Sequence, residues 1–446
     1  MFMKSFIITL TILFAFKSFS NYHEDLFKDK WSMVASIKVS NIPDSFAKIS
    51  KLDIDIAGVD HKEKIIDVLI NDLEYKILQE NNFLVIVKES NFVNKKPDQE
   101  YKDSKEIEDF LFEIHSKFPE LTYLTSIGKS VEGRDIWAIK ISDNPEKNET
   151  REPAVLFNSM HHAREIMTPE VSIDIIEYLL KNYASEKKVS DWINNSEIWV
   201  IPMLNVDGNN RMWTRDRWWR KNTRGGHGVD LNRNYPYAWN KCRGSSGSRF
   251  SQTYRGPSPG SEPETKAMMN FISRVRPVFD ISYHAYSELV IYPFGCSPDK
   301  PSSIDVVESI GKELAKKLNY KAGTAWELLY NADGGDIDWM YSEFQVIPYV
   351  IELNSRKQGF HPDYGKWRDI TVKKNRVGWM HLLDRVQMSG LRGRVFDGSD
   401  YLKRFTVEVF AKKGQKVNSY KSHADTGIFH LVLKPGTYKI NILSED

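Results

Sequence analysis

The chain has 446 residues, 41% of them hydrophobic and 27% charged, which describes a globular protein of two or three domains and excludes a disordered or fibrous one. Its 62 Lys and Arg are balanced by 60 Asp and Glu, for a formal net charge of +2, so the chain carries no basic footprint for a nucleic acid. Two cysteines, Cys242 and Cys296, are too few for a disulfide scaffold, and their spacing leaves open a disulfide or two buried thiols.

Residues 1–20, MFMKSFIITLTILFAFKSFS, carry one cation at Lys4, an apolar-type run over 6–16 and small residues at Ser18 and Ser20. The run is too short to span a bilayer but suits the hydrophobic region of a secretory signal peptide, with cleavage expected after Ser20. No later stretch is long enough to cross a membrane, so the expected mature protein is soluble and exported, extracellular or periplasmic.

Residues 21–102 read as one small α+β unit. IIDVLI (65–70) is a strand-like run, Asn71 with Glu74 forms a capping pair for a helix through DLEYKILQENN, and FLVIVK (83–88) is a second strand. The polar stretch NKKPDQEYKD (94–103), broken by Pro97, has the composition of a linker.

From 103 to 387 strands alternate with helices. DIWAIKIS (135–142), PAVLFNSM (153–160), NSEIWVIPMLN (195–205), PVFDISYHA (277–285) and QVIPYVIEL (345–353) are strand-like, most of them as inner strands. Thr168 and Pro169 are expected to open a helix as N-cap and first helical residue, with Val171, Ile175, Tyr178 and Leu179 on one face. The pattern predicts an α/β domain with a mixed, mainly parallel sheet flanked by helices, and functional residues at strand ends. Residues 388–446 differ again: RFTVEVFAK (404–412) alternates with period two, GIFHLVL (427–433) follows, and KPGTY turns into KINIL, which predicts a small all-β module.

The segment NSMHHAREIMTPE (158–170) concentrates chemistry. A catalytic zinc site takes three protein ligands, often two His and one Glu, and keeps one position open. His162 and Glu165, three apart, can face one point from a tight turn or helix start, and His284 in the strand-like DISYHAYSE is the best third ligand. His161 competes, because His161 and Glu165 at i and i+4 also face each other on a helix. Alone, a His-x-x-Glu pair is a weak signal, met more often in a solvated or core-satisfied pair.

Six segments in order, HAREIMTPE, LNVDGNNRMWTRDRWWRKN, GVDLNRNYPYAW, SYHAYSE, LYNADGGDIDW and VIELNSRKQGF, closely resemble the zinc metallocarboxypeptidases of the pancreatic carboxypeptidase A/B and bacterial carboxypeptidase T type. The resemblance covers about 103–387. Over 21–102 it is to an activation propeptide, and over 388–446 to a transthyretin-like β-sandwich module. It implies one Zn2+ per chain held by His162, Glu165 and His284, with His161 a neighbour and Asp230 a carboxylate behind the first zinc histidine, where it would fix that ring's tautomer. Glu352 matches the general base and Arg220 the cation that meets the oxyanion. Asn232, Arg233 and Tyr330 match the groups that grip a free C-terminal carboxylate, and Arg164, Arg217 and Tyr286 the groups further along the substrate path.

The side-chain pocket implied by the resemblance is small and uncharged: Gly295, Ala325, Ala332, Val350 and Ile337, the last where basic-preferring members carry Asp. That lining suits apolar or aromatic C-terminal residues. Asp336, directly before Ile337, is the group through which Lys or Arg would be admitted. Ala285 stands where pancreatic members commonly have Ser. The expected function is removal of C-terminal residues from peptides or proteins by a zymogen that a trypsin-like protease activates near Lys95, Lys96 or Lys102. Two other readings are a zinc amidase acting on peptidoglycan stem peptides, which need not keep the carboxylate clamp, and a non-catalytic peptide-binding protein, which need not keep ligands, base and cation together.

Overall fold

A computed structural model describes residues 33–90 and 96–445, apart from 150, 297, 302–303, 389 and 413. The signal-peptide reading and Lys95 lie outside the described residues. The chain divides into two compact units, Met1–Lys95 and Lys96–Asp446.

In the first unit, strands β1 (Met33–Lys38), β2 (Asp55–Asp60), β3 (Ile65–Ile70) and β4 (Val85–Ser90) form an antiparallel sheet in the order β2-β3-β1-β4. Ala35, Ile37, Ile66, Val68 and Ile70 are buried in it, with Ile49 and Leu78 of the helices Ile42–Lys51 and Asp72–Glu80. The expected capping box is present: Asn71 accepts from the Glu74 amide at 2.9 Å and Glu74 accepts from the Asn71 amide at 2.9 Å.

The unit ends at Lys95, short of the expected boundary at 102. Tyr101 is buried and donates to the Pro362 carbonyl at 2.9 Å, Tyr364 donates its amide to Asp98 at 2.8 Å, and the Lys102 amide reaches Glu170 at 3.4 Å. These bonds tie 98–102 to the second unit.

The second unit is built on eight strands: β5 (Thr122–Lys129), β6 (Asp135–Ile141), β7 (Ala154–Ser159), β8 (Glu197–Ile201), β9 (Phe279–Ala285), β10 (Leu289–Ile291), β11 (Lys321–Gly323) and β12 (Ile347–Leu353). Their order is β11-β10-β12-β9-β7-β8-β6-β5. The middle four, β12-β9-β7-β8, run parallel, and β6 and β10 pair antiparallel to them. This is the mixed sheet expected. Its inner strands read as continuous apolar runs because helices cover both faces of such a sheet; Val155, Leu156, Phe157, Ile281, Tyr349 and Ile351 are fully buried. Each such side chain contributes about 1.5–3 kcal/mol.

The helix after β7 spans Met167–Asn182, so its start differs from the expectation. The chain already turns helically from Glu165, and the Thr168 hydroxyl bonds back to the Glu165 carbonyl at 2.8 Å instead of capping forward. Pro169 is therefore the third helical residue; it still lies in the first turn, where its missing N–H leaves no bond unmade.

The long helix Tyr364–Met388 precedes the β-rich tail. There β13 (Phe405–Ala411) lies between β14 (Lys416–Lys421) and β15 (Tyr438–Ser444), all antiparallel. Phe405, Val407 and Val409, two apart as the alternation required, pack with Tyr420, Phe429 and Leu431. No helix among the described residues is long and apolar enough to cross a membrane.

Candidate functional site

Three parallel strands end at one place. His161 and His162 follow the end of β7, His284 is the sixth residue of β9, and Glu352 lies directly across from His284 on β12. The turn after β7 is sharp, with Met160 at φ 60°, a left-handed conformation that a non-glycine residue seldom adopts away from functional sites. The Ala163 amide donates to the Arg220 carbonyl at 2.9 Å, and the Asn205 side chain bridges the carbonyls of His161 and Arg220. The loop carrying Arg220 is thereby fastened to the loop carrying the histidines.

His162 Nδ1 stands 2.7 Å from Glu165 Oε1, and His284 Nδ1 stands 3.1 Å from both His162 Nδ1 and Glu165 Oε2. Three atoms ligating one tetrahedral zinc at ~2.0–2.2 Å lie about 3.3 Å apart, so the set fits a zinc ion. Two imidazole nitrogens turned on each other beside a carboxylate make a poor hydrogen-bond group and a good metal cradle. Burial opposes the Glu165 charge, yet His162 and His284 hold this carboxyl well below the usual range. His162 is pulled down by its burial and by Arg220, and His284 is raised by Glu165 against its own burial.

A second group of possible donors, His161, His284 and Asp336, lies alongside. Its histidine rings are stacked, with centroids 5.5 Å apart and planes at 22°, so their edges do not converge on one point. His161 Nε2 is also engaged with the Tyr235 hydroxyl at 3.0 Å. Burial takes His161 down to about 4, so it is a neutral core group.

Asp230 joins both halves of the centre. One oxygen is 3.2 Å from His162 Nε2 and accepts the Asn232 amide at 3.0 Å; the other accepts from Arg220 Nε at 3.1 Å and Nη2 at 3.0 Å. Burial works against its charge, but Arg220 and His162 keep it ionised well below the ordinary range. It caps the turn Leu231–Arg233 and is also the partner of the first histidine. Glu352 is half-buried; its burial and the nearby Glu165 push it up to about 8, against the pull of His284, Arg220 and Arg233.

Arg233 donates Nε to the Gly244 carbonyl at 3.1 Å and Nη1 to the Asn232 carbonyl at 2.6 Å, and among the described residues Nη2 has no hydrogen-bond partner. Asn232 accepts the Asp336 amide at 2.9 Å and sets its Nδ2 3.3 Å from His284 Nε2. Tyr330 is half-buried on the loop before the helix Asp336–Phe344. Arg217 stacks on Trp218 at 4.7 Å and bonds His361, whose burial and neighbouring Arg217 and Arg164 hold it neutral. Tyr286 lies edge-on to Phe360 at 4.8 Å. Arg164, expected along the substrate path, is fully buried with its guanidinium 4.4 Å over the Phe360 ring, and so offers no exposed contact.

Ile337, Val350 and Ala325 cluster with Leu289 and Ile291, and Ala332 packs against them, as an apolar pocket requires. Asp336 does not line it. Its carboxylate is fully buried, accepts the Ile337 amide at 2.8 Å and lies 3.6 Å from His161 Nε2, so it cannot admit a basic side chain. Asp338, which nothing in the sequence singled out, does meet the pocket wall: it accepts the Gly295 amide at 2.8 Å, and burial pushes it up to about 7. Residues 336 and 338 of one helix project to nearly opposite sides, which separates their roles. Cys242 and Cys296 are paired, with Cα atoms 5.8 Å apart.

Residues 107–371 match the model of the family described as zinc carboxypeptidase. Carboxypeptidase A6 of Mus musculus is 30% identical over 307 residues, covering 66% of this chain and 68% of that protein. Carboxypeptidase B of Rattus norvegicus is 31% identical over 275 residues, covering 58% of this chain and 64% of its own. Among solved structures, carboxypeptidase A from Helicoverpa armigera superposes with a TM-score of 0.69 at 23% identity, over 79% of this chain and 96% of that one, a likeness of fold.

Proposed function

The chain belongs to the zinc carboxypeptidase family, and we propose that it is a secreted, zymogen-borne enzyme that removes apolar or aromatic residues from the C-termini of peptides and proteins. The observation that carries this reading is the meeting of His162 Nδ1, His284 Nδ1 and the Glu165 carboxylate within 3.1 Å of one another, together with Arg233, whose Nη2 has no hydrogen-bond partner among the described residues. Zinc held by these three side chains supplies a Lewis acid that lowers the pKa of water to about 7 and polarises a carbonyl.

The remaining groups then have distinct tasks. Arg233 Nη2, with Asn232 and Tyr330, takes the terminal carboxylate of the substrate. The apolar cluster around Ile337 receives the last side chain. Glu352 accepts a proton from the attacking water and returns it to the leaving amine, a role suited to a carboxylate whose affinity for protons is raised. Arg220, fixed by Asp230, meets the charge that develops on the scissile carbonyl oxygen. Asp230 also keeps the His162 ring in the tautomer that leaves Nδ1 for the metal.

Latency rests on the compact first unit and the basic stretch after it. Lys102 follows the buried Tyr101, and its amide is bonded to Glu170, so activating cleavage belongs upstream, at the Lys95–Lys96 bond. The test is release of residues from peptides with free or amidated ends, before and after trypsin. Free C-terminal Phe or Leu should be removed at least as fast as Arg, after trypsin only, and amidated ends left intact. Activity on amidated ends would support the amidase reading.

A further inference from the structure

Three loops meet behind the carboxylate clamp. Residues 240–244 carry Cys242 and Gly244, whose carbonyl holds Arg233 Nε at 3.1 Å. Residues 293–296 carry Gly295 and Cys296, and residues 330–335 carry Ala332 and Asp333. The Cys242–Cys296 disulfide joins the first two, 54 residues apart in sequence. Asp333, fully buried, joins the first and third: one carboxylate oxygen accepts the amides of Cys242 at 3.0 Å and Gly244 at 3.3 Å. The Ala332 amide donates to the Gly295 carbonyl at 3.0 Å, which joins the second and third.

The approach is close enough to exclude side chains. A Cβ on Gly244 would sit 2.4 Å from the Asn331 carbonyl oxygen, and one on Gly295 would sit 2.6 Å from that of Ala332. Backbone stands directly on backbone at both points, so a shift of one loop must move the others.

We propose that the Cys242–Cys296 disulfide and the Asp333 carboxylate are positioning groups that fix the clamp at Arg233 relative to the pocket wall at Gly295 and Ala332, and so determine which C-terminal residues fit. This rests on the assignment of Arg233 to the substrate carboxylate. The carboxylate and the side chain of a terminal residue branch from one Cα, so clamp and pocket must be in register for both to be engaged together. A displacement of about 1 Å in such a site is worth up to ~100-fold. Among the described residues neither group is hydrogen-bonded to His162, Glu165 or His284, and their loss is expected in substrate grip and not in the chemical step.

The experiment is steady-state kinetics of the full-length protein, before and after trypsin, on peptides ending in Phe, Leu or Ala, with zinc content and Tm measured alongside. C242S/C296S and Asp333→Ala should each raise KM for the Phe peptide about tenfold and compress the Phe-to-Ala ratio of kcat/KM, with kcat within about threefold and zinc unchanged. Asp333→Asn, whose amide oxygen can still accept both N–H groups, should stay close to wild type. A lower Tm with unchanged KM and unchanged Phe-to-Ala ratio in both C242S/C296S and Asp333→Ala would mean that the staple only stabilises, and would overturn the inference. A wild-type protein that releases no residue from any free C-terminus overturns the functional reading together with it; active wild type with insensitive variants overturns the inference alone.

Discussion

Around His162 each buried charge faces a partner: Glu165 the two imidazoles, Asp230 both His162 and Arg220. Around Ile337 the side chains of Leu289, Ile291, Ala325 and Val350 form an aliphatic cluster, and the buried Asp338 at its wall accepts the Gly295 amide. The two regions obey the same rule. A buried charge is tolerated where an opposite charge or donor meets it, and elsewhere the interior stays apolar. The difference suits the tasks proposed above: a paired region preorganised to handle changing charge, and an apolar region to receive the terminal side chain. Glu352 is the exception on the border, since its nearest strong influence besides burial is another carboxylate, Glu165.

The sharpest break of this contrast is at that exception. Glu352→Gln should keep zinc and substrate affinity but lower kcat by roughly 10^2–10^4-fold, read in steady-state kinetics. Only the deprotonated carboxylate accepts a proton, so kcat/KM falls as pH drops through its pKa. A zinc ion beside it draws the value down from about 8 toward the ordinary 4.5. The acid limb of the profile should therefore lie between those values and vanish in the variant. Next is Arg220→Ala, which removes the proposed oxyanion donor and leaves Asp230 with His162 and the Asn232 amide alone; a loss of about 10^2–10^3-fold in kcat is expected. Ile337→Asp carries the rule of the charged region into the apolar one. Phe release should fall by roughly 10–200-fold while Arg release gains, as competition between the two peptides would show. The smallest effect belongs to Asp336→Ala, which should leave the Phe-to-Arg ratio within about threefold, because that carboxylate faces His161 and not the pocket.

Much of the paired region was legible because its spacing is local or set by strands. His162 and Glu165 are neighbours on one tight turn, and His284 and Glu352 end adjacent strands whose apolar runs are plain in the sequence. The apolar wall was legible from composition once its positions were matched to the family. What could not be read depended on partners far along the chain. Burial of Tyr101 requires Pro362, 261 positions away, so the expected end of the first unit at 102 falls seven residues beyond Lys95. Pairing of Cys242 with Cys296 requires two loops to fold onto each other. Asp336 and Asp338 could be told apart only once the helix start at Asp336 was known, since at about 100° per residue a shift of two positions exchanges their faces. Thr168 had the right chemistry for a cap, but the chain before it was already turning.

The account stands or falls on which histidine holds the metal, and metal analysis of the purified protein with its His161→Ala and His162→Ala variants tests that most directly. One zinc per chain in the wild type, retained in His161→Ala and lost in His162→Ala, is the predicted result. Retention in His162→Ala with loss in His161→Ala would move the centre to His161, His284 and Asp336 and contradict the account.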